Sequence, residues 1–196
     1  VTQPSIPAGA APGTAPRNDL WKPVLLRSAA ALAFGAVTVF WTSPSVEVMG
    51  WAGGLYLLAT GVVSLRIIPA SGIAPKSLSG KLLSAGAAVL AGAGFAVILM
   101  HSDLLFGVIA ALGLGVAGVL ELACGLQQRG RHVLARDWIA SGAIGIGTAA
   151  LLPFFINLGA HALLGVAGGG AIISGVLWVL SGLTLRHDAR DGAGKP

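Results

Sequence analysis

Of the seven acidic residues in the sequence, only Glu121 falls well inside an apolar run. An ionisable side chain in a segment of membrane length is expensive, so it marks either a functional site or an ion pair. Glu121 follows Gly118 by three residues and precedes Gly125 by four, which puts it on a helical face of small residues that a neighbouring helix can approach. It is read as one half of an intramembrane ion pair, with Arg27, Lys81 or Arg136 as the basic partner. A second group of titratable residues, Glu47, His101, Asp103 and His161, lies in or beside short turns that contain no lysine or arginine. Imidazoles titrate at about pH 6.5 and carboxylates at about pH 4 as residue types, so such a face would gain positive charge on acidification. Plain solvation of turns would also account for these four residues.

Other chemistries find no support in the spacing. No GxSxG, HExxH or P-loop pattern occurs, and Ser28, Ser64, Ser84, Ser141, Ser174 and Ser181 have no base nearby in sequence; lone serines in such runs bond the preceding turn. Gly113-Leu114-Gly115-Val116-Ala117-Gly118 matches a dinucleotide-binding fingerprint by letter, but it lies in mid-run with no strand before it and an arginine-rich loop after it. Helix packing is the reading taken. The single cysteine, Cys124, can form no internal disulfide, belongs to no CxxC or His-Cys cluster, and is read as a packing residue. Hence no catalytic residue, cofactor or metal is expected, and the chain is read as non-enzymatic.

The elements that would position these residues follow from composition. The 196 residues are 55% hydrophobic and 10% charged, where a soluble domain carries about 25% charged residues. This is the composition of a membrane protein, with the lipid bilayer as its first partner. The expected fold is all-α and polytopic, with helices over about 24–41, 46–68, 82–100, 104–126, 138–156 and 163–185, paired as hairpins over about 24–68, 82–126 and 138–185. Residues 1–20, rich in Pro and Ala, are read as a disordered cytoplasmic tail, and residues 186–196 as a charged cytoplasmic tail. All twelve Lys and Arg then fall at one end of the hairpins, from Arg17 and Lys22 to Lys195, and the three opposite turns hold none. The bias places both termini in the cytoplasm and assigns the net charge of +5 to topology, with no nucleic-acid partner.

The helices also repeat. Gly118-Val119-Leu120 stands 57 residues after Gly61-Val62-Val63 and 57 before Gly175-Val176-Leu177, so one hairpin unit is written three times. On this period the positions equivalent to Glu121 are Ser64 and Trp178. Small residues let helices approach in lipid, and Gly107, Ala111, Gly115, Gly118 and Gly125 follow the spacing of one face. With Gly61 and Gly175 they mark the even-numbered helices as inner packing elements. Whether the contact is within one chain or with a second copy or another membrane protein stays open.

The chain resembles the HdeD-like membrane proteins associated with acid resistance in bacteria. The resemblance runs from about Trp21 to Leu185. It rests on Arg27 leading a span with Phe34-Gly35, on Trp41 and Pro44 at its outer end, on the return helix from Gly50 to Gly61, and on the three hairpins. It implies a six-helix bundle in the bacterial inner membrane and a role in survival at low pH, and brings no catalytic residues. Two other classes remain beside this reading: a small-solute or proton-linked transporter or channel, and a membrane subunit of a larger complex.

Overall fold

The computed structural model describes residues 19–193, and every regular element among them is helical. The elements are α1 (Trp21–Phe40), α2 (Val46–Ala70), α3 (Leu78–Leu99), α4 (Asp103–Gln127), α5 (Ala135–Phe155), the short 3-10 helix η1 (Ile156–Leu158) and α6 (Gly159–Ala193). Local chemistry sets their ends. Pro23 sits in the first turn of α1, where its missing N–H costs no hydrogen bond. Ser45 and Ser77 cap α2 and α3, their hydroxyls accepting from the backbone N–H of Val48 and Gly80. Pro153 lies in the last turn of α5, and Gly159, at φ +81°, opens α6 in a backbone conformation that other residues rarely adopt.

Several expected boundaries move. Leu20, assigned to the tail, is buried in the core, and Lys22 pairs with Asp19 at 2.7 Å; residues 1–18, with Arg17, and residues 194–196, with Lys195, lie outside the described part. The segment from Arg186 is not a separate tail, because α6 continues to Ala193. Arg186 stands over the Trp21 ring at 5.3 Å, and His187 meets Asp191 one turn on at 3.0 Å. Helices α1, α3, α5 and α6 each begin three or four residues before the expected span, since their first turns carry Lys22, Lys81, Arg136 and His161 or small residues that interrupt the apolar run.

The helices close into a ring. Packing is most extensive for α1 on α6, α2 on α3 and α4 on α5, with the helices of each hairpin in looser contact. At the centre the backbones of α2, α4 and α6 approach one another, whereas those of α1, α3 and α5 do not. Glycines explain the tight pairs. A Cβ at Gly61 would stand 2.6 Å from the Ala87 carbonyl oxygen of α3, one at Gly118 would stand 2.8 Å from the Gly142 carbonyl of α5, and one at Gly175 would stand 2.9 Å from Leu32 of α1. Gly125 meets Ala135 of α5 in the same way, Gly107 admits Ile156 of η1, and Gly115 faces Ala149 more loosely at 3.3 Å. The close contacts therefore join successive hairpins within one chain.

Among the described residues, five helical stretches are long and apolar enough to cross a membrane by length and composition, the last being the 57 residues from Ala135 to Asp191. That stretch holds α5, η1 and α6, far more than the roughly 20 residues of one crossing. Ser181 of α6 donates to Asp137 at the start of α5, so the chain turns back on itself at η1. The outer surface is apolar along its length, with Leu26, Leu55, Phe95, Leu112, Val119, Ile173 and Leu180 exposed, as a lipid-facing surface requires.

Candidate functional site: a polar layer within the bundle

Two apolar clusters fill the interior. One, around Phe34, Leu57, Leu90, Phe106, Leu152 and Leu163, fills the half towards the short turns; the other, around Leu20, Val24, Ile67, Leu83, Cys124, Trp138 and Trp178, fills the half towards the basic loops. Between them lies a polar layer. On α1 the clusters stop at Val24 and resume at Ala31, leaving Arg27; on α4 they stop at Ala117 and resume at Cys124, leaving Glu121. Each polar residue lies about 9 Å from the nearer end of its helix, six residues at 1.5 Å each.

Arg27 and Glu121 form a salt bridge at 2.6 Å and are only 6% and 7% exposed. The same Nη2 of Arg27 donates to Ser141 Oγ of α5 at 3.1 Å, and the Ser141 hydroxyl donates to the other carboxylate oxygen of Glu121. The guanidinium stacks on the Trp178 ring of α6 at 4.4 Å, a cation–π contact that adds attraction where water is excluded. One arginine thus ties α1, α4, α5 and α6. Both carboxylate oxygens are engaged, which offsets part of the cost of burying the pair, while the Nη1 and Nε edge of the guanidinium has no protein acceptor.

Beside this pair lies a cavity of about 40 Å³, room for roughly three water molecules. Its polar lining includes Arg27, Glu121, Ser141, Tyr56, Thr60, Thr148, Ser174 and Trp178. Two of these carry buried polar atoms without a hydrogen-bond partner, Thr60 Oγ1 and Trp178 Nε1. The Tyr56 hydroxyl neighbours Thr60, but not in hydrogen-bonding geometry. A second void of about 10 Å³, lined by Ser64, Ile67, Ile68, Leu83 and Trp138, touches the opposite side of the same ion pair. The salt bridge therefore stands as a partition between two small spaces.

Of the three basic residues expected beside Glu121, the structure brings Arg27 to it and leaves Lys81 and Arg136 apart. Both lie in the first turns of their helices with exposed side chains, too near the ends of α3 and α5 to reach the layer. The residues of the short turns stay at the opposite end. Glu47 and His161 are exposed and unpaired; the His101 ring packs over Gly50 and lies 6.3 Å from Trp51, and Asp103 Oδ1 is buried without a partner. No ion pair joins any two of these four residues. The stretch 113–118 lies in the middle of α4, with Gly113 against Ala93 of α3 and Gly118 against α5. Cys124 is fully buried. No group of three or more possible metal ligands occurs among the described residues.

His132 stands among Arg129, Arg131 and Arg136 in the sequence, yet its side chain is half-buried and partnered. Its ring stacks on Trp138 at 4.8 Å, its Nδ1 accepts from the Leu134 N–H, and its Nε2 meets the Ser71 carbonyl at 2.9 Å. The ring thereby joins the α4–α5 loop to the α2–α3 loop.

Sequence reasoning also passed over Ser141, Thr60 and Trp178 as members of the site. For Ser141 and Trp178 a spacing was available, since Arg27 and Ser141 are 114 positions apart and Ser64, Glu121 and Trp178 follow one another at 57; for Thr60 there was none. Comparison of the chain with family models, curated proteins and solved structures finds no match.

Proposed function

We propose that the chain is a polytopic protein of a bacterial inner membrane that crosses the bilayer six times as three repeated hairpins with both termini in the cytoplasm. In this reading it serves, without enzymatic activity, in a stress response of the acid-resistance kind implied by its resemblance to HdeD-like proteins. The topology draws support from the bias of lysine and arginine to one end of the ring and from the turn at η1, which divides the 57-residue stretch. The repeat draws support from Gly61, Gly118 and Gly175, each of which packs against the next odd-numbered helix around the ring.

The observation that carries the non-enzymatic reading is the pairing of the one buried acid. Glu121 has both oxygens engaged by Arg27 and Ser141, which leaves no free base beside a nucleophile. The layer then acts as a clasp that holds four helices of the ring together. A deletion strain complemented with the wild-type chain should survive an acid challenge that kills the deletion strain, whereas an Arg27→Met chain inserted at equal abundance should restore survival poorly. Equal survival with and without the wild-type chain would remove the stress role.

The mid-bundle cavity favours a second reading, a small-solute or proton-linked transporter, because its polar lining lies at membrane depth. Flux of protons or small ions into liposomes containing the purified chain, above that of empty liposomes, would move the assignment to this class.

A further inference from the structure

The groups left free in the polar layer are the N–H donors of Arg27 and Trp178 and hydroxyls, such as that of Thr60, that can turn to donate. Arg27 makes both of its protein hydrogen bonds through Nη2, so its Nη1 and Nε hydrogens meet no protein acceptor. Trp178 Nε1, on a side chain only 1% exposed, and the Thr60 hydroxyl are likewise unpartnered and belong to residues that line the cavity. The strongest acceptor in the layer, the Glu121 carboxylate, is already engaged at both oxygens. A space lined by residues that carry an incompletely paired guanidinium, an unpaired indole N–H and rotatable hydroxyls can take an anion once the Glu121 charge is removed. Its volume admits roughly three waters, hence a monatomic halide but not a large organic anion.

We propose that this cavity is a binding site for a small monovalent anion of halide size, taken up together with one proton on Glu121. The charge balance requires the coupling. With Glu121 ionised the pair is neutral, and an added anion would stand uncompensated in a low-dielectric interior. Protonation converts the carboxylate to a neutral acid and leaves the Arg27 guanidinium with one uncompensated positive charge, which the anion restores to neutrality. The proton and the anion come from solution and no covalent bond other than the new O–H is made. The groups facing Glu121 permit this: α1 brings Arg27, α2 brings the neutral Tyr56, α4 itself brings the Cys124 thiol, α5 brings Ser141 and α6 brings Trp178, while α3 brings no titratable side chain. The inference needs the folded bundle and its cavity, and does not depend on the stress role or on the direction in which the chain is inserted.

The test is the melting temperature of the purified chain in detergent, in sodium bromide against sodium gluconate at equal ionic strength, between pH 7.5 and pH 5. Bromide should raise the melting temperature over gluconate at the acid end, and its half-saturating concentration should fall by up to tenfold per pH unit while Glu121 is ionised, as one-to-one linkage demands. Glu121→Gln imitates the protonated acid, so bromide should stabilise it equally at both pH values. Trp178→Phe removes one donor and should weaken the bromide effect several-fold in a folded protein. Bromide quenching of tryptophan fluorescence should have a saturable part in the wild type that is lost in Trp178→Phe, above the collisional quenching of the exposed Trp41 and Trp51 that both proteins share. Identical melting in bromide and gluconate at every pH would overturn the proposal and leave the cavity to water alone. A bromide effect that does not change with pH in the wild type, or that survives unchanged in Trp178→Phe, would overturn it as well. If Glu121→Gln fails to fold, the pH dependence in the wild type and the loss in Trp178→Phe decide the matter by themselves.

Discussion

Arg27 and Glu121 stand 94 positions apart in sequence and meet at 2.6 Å in the interior of the bundle. Removing one partner leaves a desolvated charge, whereas removing both leaves only a packing defect, so the single and double variants should differ in kind. Arg27→Met or Glu121→Leu alone is expected to lose about 3 to 5 kcal/mol, and the double variant Arg27→Met with Glu121→Leu should recover much of that loss. Unfolding in detergent, followed across the three variants and the wild type, checks it; a double variant as unstable as the sum of the singles would show that the two residues contribute separately. Glu121 was legible in the sequence because no other acid lies so deep in an apolar run, and Arg27 was one of three named partners. The Ser141 bridge, the stacking of Trp178 and the cavity were not legible. A serine or a tryptophan in an apolar helix is ordinary by itself, and only the meeting of four helices gives these residues a common neighbour.

At the scale of the elements, glycine spacing carried the ring. Gly118 lies against the α5 backbone, where an added Cβ would stand 2.8 Å from a carbonyl oxygen, while Val119 beside it is 54% exposed on the outer surface. Gly118→Leu should therefore destabilise the chain by about 1 to 3 kcal/mol through overpacking, and Val119→Leu should leave the melting temperature unchanged. Equal effects would mean that the two helices can part without cost. The sequence also showed where helices pack but not which helix is the neighbour, because the small-residue stripes fit a contact within a hairpin as well as one between hairpins. The loops were less legible still. His132 stands among arginines in sequence, and its stacking on Trp138 and bond to Ser71 exist only because the α2–α3 and α4–α5 loops lie side by side. His132→Phe keeps the stack and loses both ring hydrogen bonds, for an expected cost of about 1 to 3 kcal/mol. A melting temperature equal to that of the wild type would show that the bond to Ser71 adds nothing to the stack.

The whole molecule is a ring of helices with an apolar outer face, a polar layer inside, and the lysines and arginines of its described loops at one end. The exposed histidines at the other end, His101 and His161, belong to the residue type that gains charge in mild acid. If the resemblance to acid-resistance proteins holds for this face, His101→Gln with His161→Gln should lower survival after an acid challenge without changing membrane insertion or growth at neutral pH; unchanged survival would leave these turns as solvated connections. That the described chain is all helical, with stretches long and apolar enough to cross a membrane, was its most legible feature, since composition acts over whole helices, where single-residue ambiguities average out. The central claim is that one end of the ring, with every short turn, faces outward and the other, with every basic loop, faces the cytoplasm. Single cysteines at Thr42, Met100 and Asn157, and at Ala74, Val133 and Ala189, placed in a Cys124→Ser background, test it most directly with a membrane-impermeant thiol reagent applied to intact cells. The account predicts that the first three react from outside and the second three only after the membrane is opened; a member of either set reacting with the other would contradict it.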